Sequence, residues 1–242
     1  MLYTSKGIVL HHFKYSEKSV IAKIYTEKFG LQPFIINGVR NKKSKNKASY
    51  LQPLSLVEIN AYKKENKGLQ QVKNIKLSVP FQEIPFEIYK TSIAFLIAEI
   101  LHKAIKEEEN NDALFHFLFN GIQILDLKKE NYINFHLLFL AQLTRHLGFF
   151  PQNINIAHAT YYFDLQEGVF THLLPPHKLF INAEISTYLI QIFNSNFDEL
   201  QEIKCNNINR KLILNALLNY YSLHLSNFDN LKSKEVLEEI LS

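Results

Sequence analysis

The spacing of apolar residues changes once along the chain, near residue 80. Before that point, short runs rich in β-branched and aromatic residues alternate apolar with polar positions, as Val57, Ile59 and Ala61 do with their neighbours. A period of two is typical of β-strands. Five short strands in one such segment predict a small barrel or sandwich. The predicted strands lie at residues 7–14, 19–26, 34–39, 57–62 and 69–77.

After Pro80 and Pro85 the apolar residues recur at helical spacing. From Ile93 to Ala104 they fall on one face of a helix. Between residues 148 and 176 this pattern lapses, and residues 159–176 predict a β-hairpin whose turn lies near Gly168. Further helices are predicted at 112–126, 131–147, 183–195, 208–225 and 232–241, the last with Ser233 as its N-cap.

These patterns predict an α+β protein with two domains. A β-barrel over residues 1–80 precedes a mainly α-helical domain over 81–242, and the helical domain carries a small hairpin module inserted at about 149–180.

Charge is distributed unevenly between these two parts. Residues 1–80 hold 15 Lys+Arg and 4 Asp+Glu, a net charge of +11, whereas residues 81–242 hold 12 and 19, a net charge of −7. A basic module attracts polyanions, so the two parts are expected to have different partners. The single cysteine fits a reducing compartment, and we recognise neither a signal peptide nor a membrane span. A cytoplasmic protein is expected.

The densest basic segment is "NGVRNKKSKNKASYLQP", residues 37–53, in which no acidic residue occurs. More lysines follow at the next predicted turn and in the fifth strand. Basic side chains along a groove of a small barrel can neutralise successive phosphates of a nucleic acid. The residues predicted to do so are Arg40, Lys42, Lys43, Lys45, Lys47, Lys63, Lys64, Lys67, Lys73 and Lys76.

Aromatic residues of the barrel could add base stacking. The candidates are Tyr25, Phe34, Tyr50 and Tyr62, although packing in the core is the simpler interpretation of each.

Sequence motifs of catalysis are missing. The chain contains no phosphate-binding glycine loop, no H-E-x-x-H and no G-x-S-x-G. Cys205 has no cysteine partner, and the spacing of His158, His172 and His177 matches no zinc pattern. The sequence therefore predicts neither an enzyme nor a metal site.

Several segments resemble the RecO family of bacterial recombination mediators. "GIVLHHFKYSEKSVIAKIYTEKFGLQPFIINGVRNKKSK" is similar to the opening strands of that family, and "LQPLSLVEINAYKK" to its fourth-strand segment. "LTRHLGFFP" resembles the helix end before the inserted module, "YYFDLQEGVF" the hairpin of that module, and "NLKSKEVLEEIL" the C-terminal helix. The order of these segments carries the resemblance, because none of them is specific alone.

The resemblance implies an N-terminal OB-fold that binds DNA, followed by a helical domain. It implies a repair protein of the RecF recombination pathway that binds single- and double-stranded DNA and anneals complementary strands without hydrolysing nucleotides. It also implies partnership with RecR and with the C-terminal tail of single-stranded DNA-binding protein (SSB), and indirectly with RecA, which is loaded on coated strands.

The chain departs from the family at the inserted module. Many members carry four cysteines after "LGFFP" and bind zinc there, whereas this chain has none in that segment. We therefore expect no cofactor, and we expect hydrophobic packing through Ile154, Tyr161, Phe163 and Phe170 to hold the module together.

An SSB tail ends in acidic and aromatic residues, so its pocket should combine basic side chains with an apolar hole. The basic candidates of the helical domain are Lys128, Lys129, Arg145, Arg210 and Lys211.

Two other functions fit parts of the sequence. An OB-fold RNA-binding protein would have the same basic barrel, and only the helical half and the family likeness oppose it. An interaction scaffold with an incidental basic loop is the second alternative, and its affinity for nucleic acid would hardly change with salt.

Overall fold

The computed structural model describes residues 2–39, 48–62, 68–106, 108–154, 161–228 and 230–241. Five strands form a closed barrel in the order β1-β2-β3-β5-β4. All neighbouring strands pair antiparallel except β3 and β5, which pair in parallel. This arrangement confirms the predicted OB-like barrel. The strands are β1 (Leu2–Lys14), β2 (Ser19–Thr26), β3 (Gly30–Asn37), β4 (Leu56–Tyr62) and β5 (Gln70–Val79).

The barrel interior is filled by alternate residues of each strand, as the pleat requires. Val20, Ala22 and Ile24 point inward from β2, and Phe34 and Ile36 from β3. Strand β1 contains a bulge, because its register with β2 shifts between Val9 and His11. Residues 7–10, up to the bulge, are buried, and residues 11–14 after it are exposed.

Two helices follow the barrel, α1 (Ile88–Ala104) and α2 (Asp112–Leu127). With the barrel they make one compact unit, residues 1–127, and residues 128–242 make a second one. The sequence-based boundary at residues 80 and 81 is a different division of the chain and stays a prediction.

A buried carboxylate ties the segment after β5 to helix α2. Asp126 accepts hydrogen bonds from the backbone N–H groups of Gln82, Glu83 and Ile84 at 2.8–2.9 Å. Lys90, fully buried on α1, donates to the Asp126 carbonyl at 2.8 Å and to the Glu83 carboxylate. The two prolines that we identified from the sequence therefore lie in a segment held by side-chain hydrogen bonds.

The second unit is mainly helical, as predicted, and each predicted helix corresponds to an observed one. The last helix begins at Lys232 after the N-cap position Leu231, so the prediction of Ser233 as N-cap was wrong. The helices are α3 (Phe135–Leu147), α4 (Ala183–Asn194), α5 (Asn207–His224) and α6 (Lys232–Ile240), with a 3-10 helix at Phe197–Glu202. Among the described residues, no helix combines the length and apolar character needed to cross a membrane.

The predicted hairpin is present as β6 (Tyr162–Asp164) and β7 (Val169–Thr171), and β8 (Phe180–Ile181) extends it to a three-stranded sheet. Phe163 and Phe170 are fully buried and stack with their ring centroids 4.5 Å apart. Tyr220 of α5 meets Phe163 edge to face at 4.9 Å. Aromatic packing thus joins this sheet to the helices of its own unit.

His136 on α3 is completely buried. Neither ring nitrogen has a hydrogen-bond partner among the described residues. Burial is the main cause that lowers the pKa of His136 to about 3, and the charge of Arg210 lowers it further. The backbone of Ile133 makes the smallest of the three contributions and raises the pKa. The ring is therefore neutral at pH 7.

We expect Asp126→Asn to lower the free energy of unfolding by about 2–4 kcal/mol, because an amide nitrogen would face a backbone donor beside the buried Lys90. Urea unfolding followed by circular dichroism measures the change. Asp112→Asn, an exposed acid in the first turn of the same helix, is the control and should cost less than about 1 kcal/mol. Equal effects of the two substitutions would contradict the importance of the Asp126 bonds.

The buried His136 should make folding sensitive to acid. Its pKa in the folded protein lies below the unfolded value, so protonation of His136 favours the unfolded state. The stability that depends on the neutral ring is therefore complete above pH 6.5 and is lost as the pH falls towards 3. Between pH 7 and pH 5 this one group should cost about 2 kcal/mol. His136→Leu should lose less stability over the same interval, measured by urea unfolding at both pH values. An unchanged pH dependence in the variant would show that other groups set it.

Candidate nucleic-acid interface

Two of the ten predicted DNA-binding residues lie in the described part of the chain. Lys73 and Lys76 are both exposed on β5. Lys76 forms an ion pair with Glu58 of the adjacent β4, at 2.8 Å, which offsets much of its charge. Outside the described residues lie Arg40, Lys42, Lys43, Lys45, Lys47, Lys63, Lys64 and Lys67.

Two of the four aromatic candidates cannot stack bases in this fold. Phe34 points into the barrel core, and Tyr25 is buried on the outer face, where Phe115 of α2 lies over it at 6.2 Å. Tyr50 is half-buried against the core. Tyr62 is 37% exposed and stays available.

The end of β1 supplies exposed aromatic and basic residues that sequence reasoning did not single out. Residues 11–18 are all exposed, and Phe13 and Tyr15 are 45% and 58% exposed. Lys14 and Lys18 lie in the same stretch. The signal was present in the sequence, because the apolar run "GIVL" ends at two histidines, but the segment was interpreted only as a strand.

The outer face of the barrel is apolar near the end of β1, beside the area that helix α1 contacts. Phe13 is opposite Ile21 on β2, and Ile21 is opposite Ile35 on β3. Two residues earlier on the same face of β1, His11 is opposite Lys23. Its ring stacks on that of His102 of α1, with the ring centroids 4.8 Å apart. Helix α1 therefore covers the outer face at His11, while Phe13 stays exposed.

The stacked histidines are neutral at neutral pH. Burial is the main cause that lowers the pKa of His102 to about 4, and the charge of Lys23 adds to it. The pKa of His11 is lowered by burial first and then by His12 and Lys23. Charge on this face at pH 7 therefore comes from lysines.

A cavity of about 230 Å³ opens at the end of the barrel where β1 stops and β2 begins. Val20, Val39 and Leu51 provide apolar walls, and His12 and Lys14 complete the lining with Ala48. His12 and Lys14 are opposite Ala22 and Val20 in the β1–β2 register, so they lie on the face of β1 that looks into the barrel. Val39 and Ala48, which both line this cavity, are the described residues on either side of the basic stretch 40–47.

A second candidate region lies in the other unit, at the N-terminus of α5. A cleft of about 500 Å³ has apolar walls formed by Ile133, Tyr188, Leu200 and Ile203. The exposed Lys204 and the N-cap residue Asn206 also line it. The partial positive charge of a helix N-terminus and a lysine favour an anionic ligand here.

Asn134 organises the floor of this cleft. Its Oδ1 accepts from Arg210 Nε at 2.8 Å and from the Cys205 thiol at 3.4 Å, and its Nδ2 donates to the Ile203 carbonyl. Burial raises the pKa of Cys205, which keeps the thiol protonated for this bond, although Arg210 opposes the shift. Arg210 therefore has a structural role, whatever it binds.

The five basic candidates of the helical unit do not form one cluster. Arg210 and Lys211 lie in the first part of α5. Arg210 bonds to the cleft residue Asn134, and both residues line a separate, much smaller cavity with Leu237 of α6. Arg145 lies eleven residues after Asn134, about 16 Å further along α3 by helical rise. There its guanidinium stacks on Phe150, 3.4 Å from the ring centroid, and Nε donates to Gln142. Lys128 and Lys129 belong to the segment that leads to the cleft residue Asn131.

The inserted module does not fit zinc in the part of it that the structure describes. His177 Nε2 lies 3.1 Å from Asp164 Oδ2, but the described residues contain no group of three His, Cys, Asp or Glu side chains that could hold a metal. His158 lies outside the described residues. The loss of the family zinc stays a prediction. Of the four residues expected to pack the module, Tyr161, Phe163 and Phe170 are buried and Ile154 is half-buried.

Two family models cover most of the chain. "Recombination protein O N terminal" matches residues 1–81, and "Recombination protein O C terminal" matches residues 85–235. A DNA repair protein RecO from Bacteroides fragilis is 38% identical over 241 residues, 99% of each chain. One from Flavobacterium psychrophilum is 37% identical over 244 residues, the full length of both chains, and one from Porphyromonas gingivalis is 28% identical over 99% of each. The chain therefore belongs to the RecO family of DNA repair proteins.

Proposed function

We propose that this protein binds single- and double-stranded DNA through its barrel and anneals complementary strands. The observation that carries the proposal is the open end of the barrel. There Lys14, at the exposed end of β1, lines the same cavity as Val39 and Ala48, the described residues on either side of the basic stretch 40–47. The barrel's net basic charge and the family's role in DNA repair support the same interpretation.

Annealing requires two polyanions to approach each other. Basic side chains that replace condensed counterions lower this repulsion, and they need no covalent chemistry. We propose that the protein acts without nucleotide hydrolysis, as a non-enzymatic partner of RecR in the bacterial cytoplasm at the nucleoid, and that it thereby helps to load RecA on SSB-coated strands. Ten basic residues are proposed as phosphate contacts, namely those predicted from the sequence.

We propose the cleft at the N-terminus of α5 as the site for the SSB tail. It combines the two features expected of such a pocket, an apolar hole and positive charge from Lys204, with Arg210 bonded to the cleft residue Asn134. Two apolar residues one turn apart near the start of α5, Ile208 and Leu212, are also exposed, at 71% and 46%. Of the five candidates, Arg145 fits this site least, because it lies at the far end of α3 and packs on Phe150.

An annealing assay tests the role of the basic stretch. The variant in which Arg40, Lys42, Lys43, Lys45 and Lys47 become Ala should anneal uncoated complementary oligonucleotides at least about tenfold more slowly, because fewer phosphates are neutralised. Its slope of log affinity against log salt for a single strand should shrink by up to about 3. The measurements are fluorescence quenching on annealing and anisotropy titrations at several salt concentrations.

A matched variant controls for net charge. It replaces the exposed Lys28, Lys106, Lys129, Lys178 and Lys232 by Ala, which removes the same charge elsewhere. If both variants anneal equally slowly, overall charge and not the basic stretch is responsible. If the wild type prefers RNA to DNA of the same sequence, the function proposed here is wrong. A salt-independent affinity would favour an interaction scaffold instead.

Binding of a synthetic SSB tail peptide tests the cleft. Lys204→Glu should weaken binding about fivefold or more, because an attractive charge of the cleft becomes repulsive towards an acidic peptide. Arg145→Glu is the control and should leave the affinity within about twofold. Isothermal titration calorimetry measures all three proteins. A loss of affinity confined to Arg145→Glu would move the site to the other end of α3.

A further inference from the structure

We infer that the cavity at the open end of the barrel holds one unpaired base of a single DNA strand, with Lys14 contacting the phosphate beside it. This rests on the proposed DNA binding and adds a site for the base itself. The cavity is bounded by Val20, Val39 and Leu51, which belong to the barrel core cluster. They are at most 6% exposed and close the cavity towards the core, whereas its exposed walls are His12, Lys14 and Ala48.

The size of the cavity limits what can enter. Its volume, about 230 Å³, lies below the roughly 300 Å³ at which pockets for drug-sized ligands begin. A single planar group fits this space, whereas several stacked bases do not. The exposed imidazole of His12 suits the face of a base, since every base has a π-face that stacks on an aromatic ring.

The polar part of the lining selects the chemical class. His12 and Lys14 are exposed side chains on the inward-looking face of β1, and no acidic residue is among the described residues of the lining. A group that enters with an attached anion satisfies both parts of the cavity, and a nucleotide of DNA is such a group.

This cavity distinguishes single strands from duplexes. A base in a duplex is paired and stacked, so it can enter only after it is flipped out, which costs a few kcal/mol. An unpaired base avoids that cost. Duplex DNA is then bound through phosphates alone, and the strand that is ready to anneal is bound through phosphates and one base.

The test compares two single strands with the same charge, an oligothymidine and a strand of the same length whose central residues are abasic. The full-length wild type should bind the oligothymidine about tenfold more tightly, the effect of one buried or stacked base. Ala48→Phe should remove this preference by filling the cavity from an exposed position. Its affinity for the abasic strand and its thermal unfolding should be unchanged. Fluorescence anisotropy and differential scanning fluorimetry provide the values.

Two controls test whether the effects are specific to this cavity and to Lys14. Ala113→Phe places the same ring at an exposed alanine of α2 and should keep the preference. Lys14→Ala should reduce the salt slope by about 1, whereas Lys28→Ala, at the opposite end of β2, should leave it unchanged.

The outcomes distinguish the two levels of the proposal. If the wild type binds both strands equally tightly, or if Ala48→Phe keeps the preference, the base site is wrong while DNA binding stands. If the wild type binds neither strand, the proposed DNA binding itself is wrong.

Discussion

The buried network around Asp126 decides how the chain leaves the barrel, and the exposed surface of the barrel depends on that exit. Three consecutive backbone N–H groups donate hydrogen bonds to the Asp126 carboxylate. The fully buried Lys90 donates to Glu83 and to the Asp126 carbonyl. Apolar residues of similar volume could give equal stability, but they would not fix the orientation of the segment. Because this network fixes the start of α1, His102 near its end reaches the outer face of β1 at His11. The helix thus covers one part of that face and leaves Phe13 exposed.

A single extra residue in β1 has an effect of similar importance. Side chains alternate between the two faces of a strand, so a one-residue shift exchanges them. The bulge between Val9 and His11 makes this exchange in the middle of the strand. After the bulge, His12 and Lys14 lie on the inward face of β1, opposite the inward-pointing Ala22 and Val20 of β2. They lie at the open end of the barrel, where they line the cavity. Polar, basic side chains can stand there without the cost of burial.

Much of the fold was predictable from the sequence, since the periods of two and of 3.6 depend on neighbouring residues only. The strands, the helices and the hairpin followed from them. The site was less predictable, because its features depend on contacts between distant residues. Tyr25 lies on the outer face and is nevertheless buried, next to Phe115 of a distant helix. Arg210 is held by Asn134, which lies 76 residues earlier. Neither the position of a bulge nor the partner of a surface lysine such as Lys76 is encoded in a local pattern.

A protein that anneals strands must hold DNA and still leave its bases free to pair. Platforms that sequester single strands stack successive bases on several aromatic residues. Here Phe34 and Tyr25, which could have formed such a platform, are buried in the fold. The exposed aromatic residues of the described barrel lie mainly at one end, next to a cavity with room for one planar group. In the proposed function, contacts to phosphates supply most of the affinity, and they restrict the strand without hiding the edges of the bases. Binding mainly through phosphates suits a protein that brings two strands together better than one that sequesters a single strand.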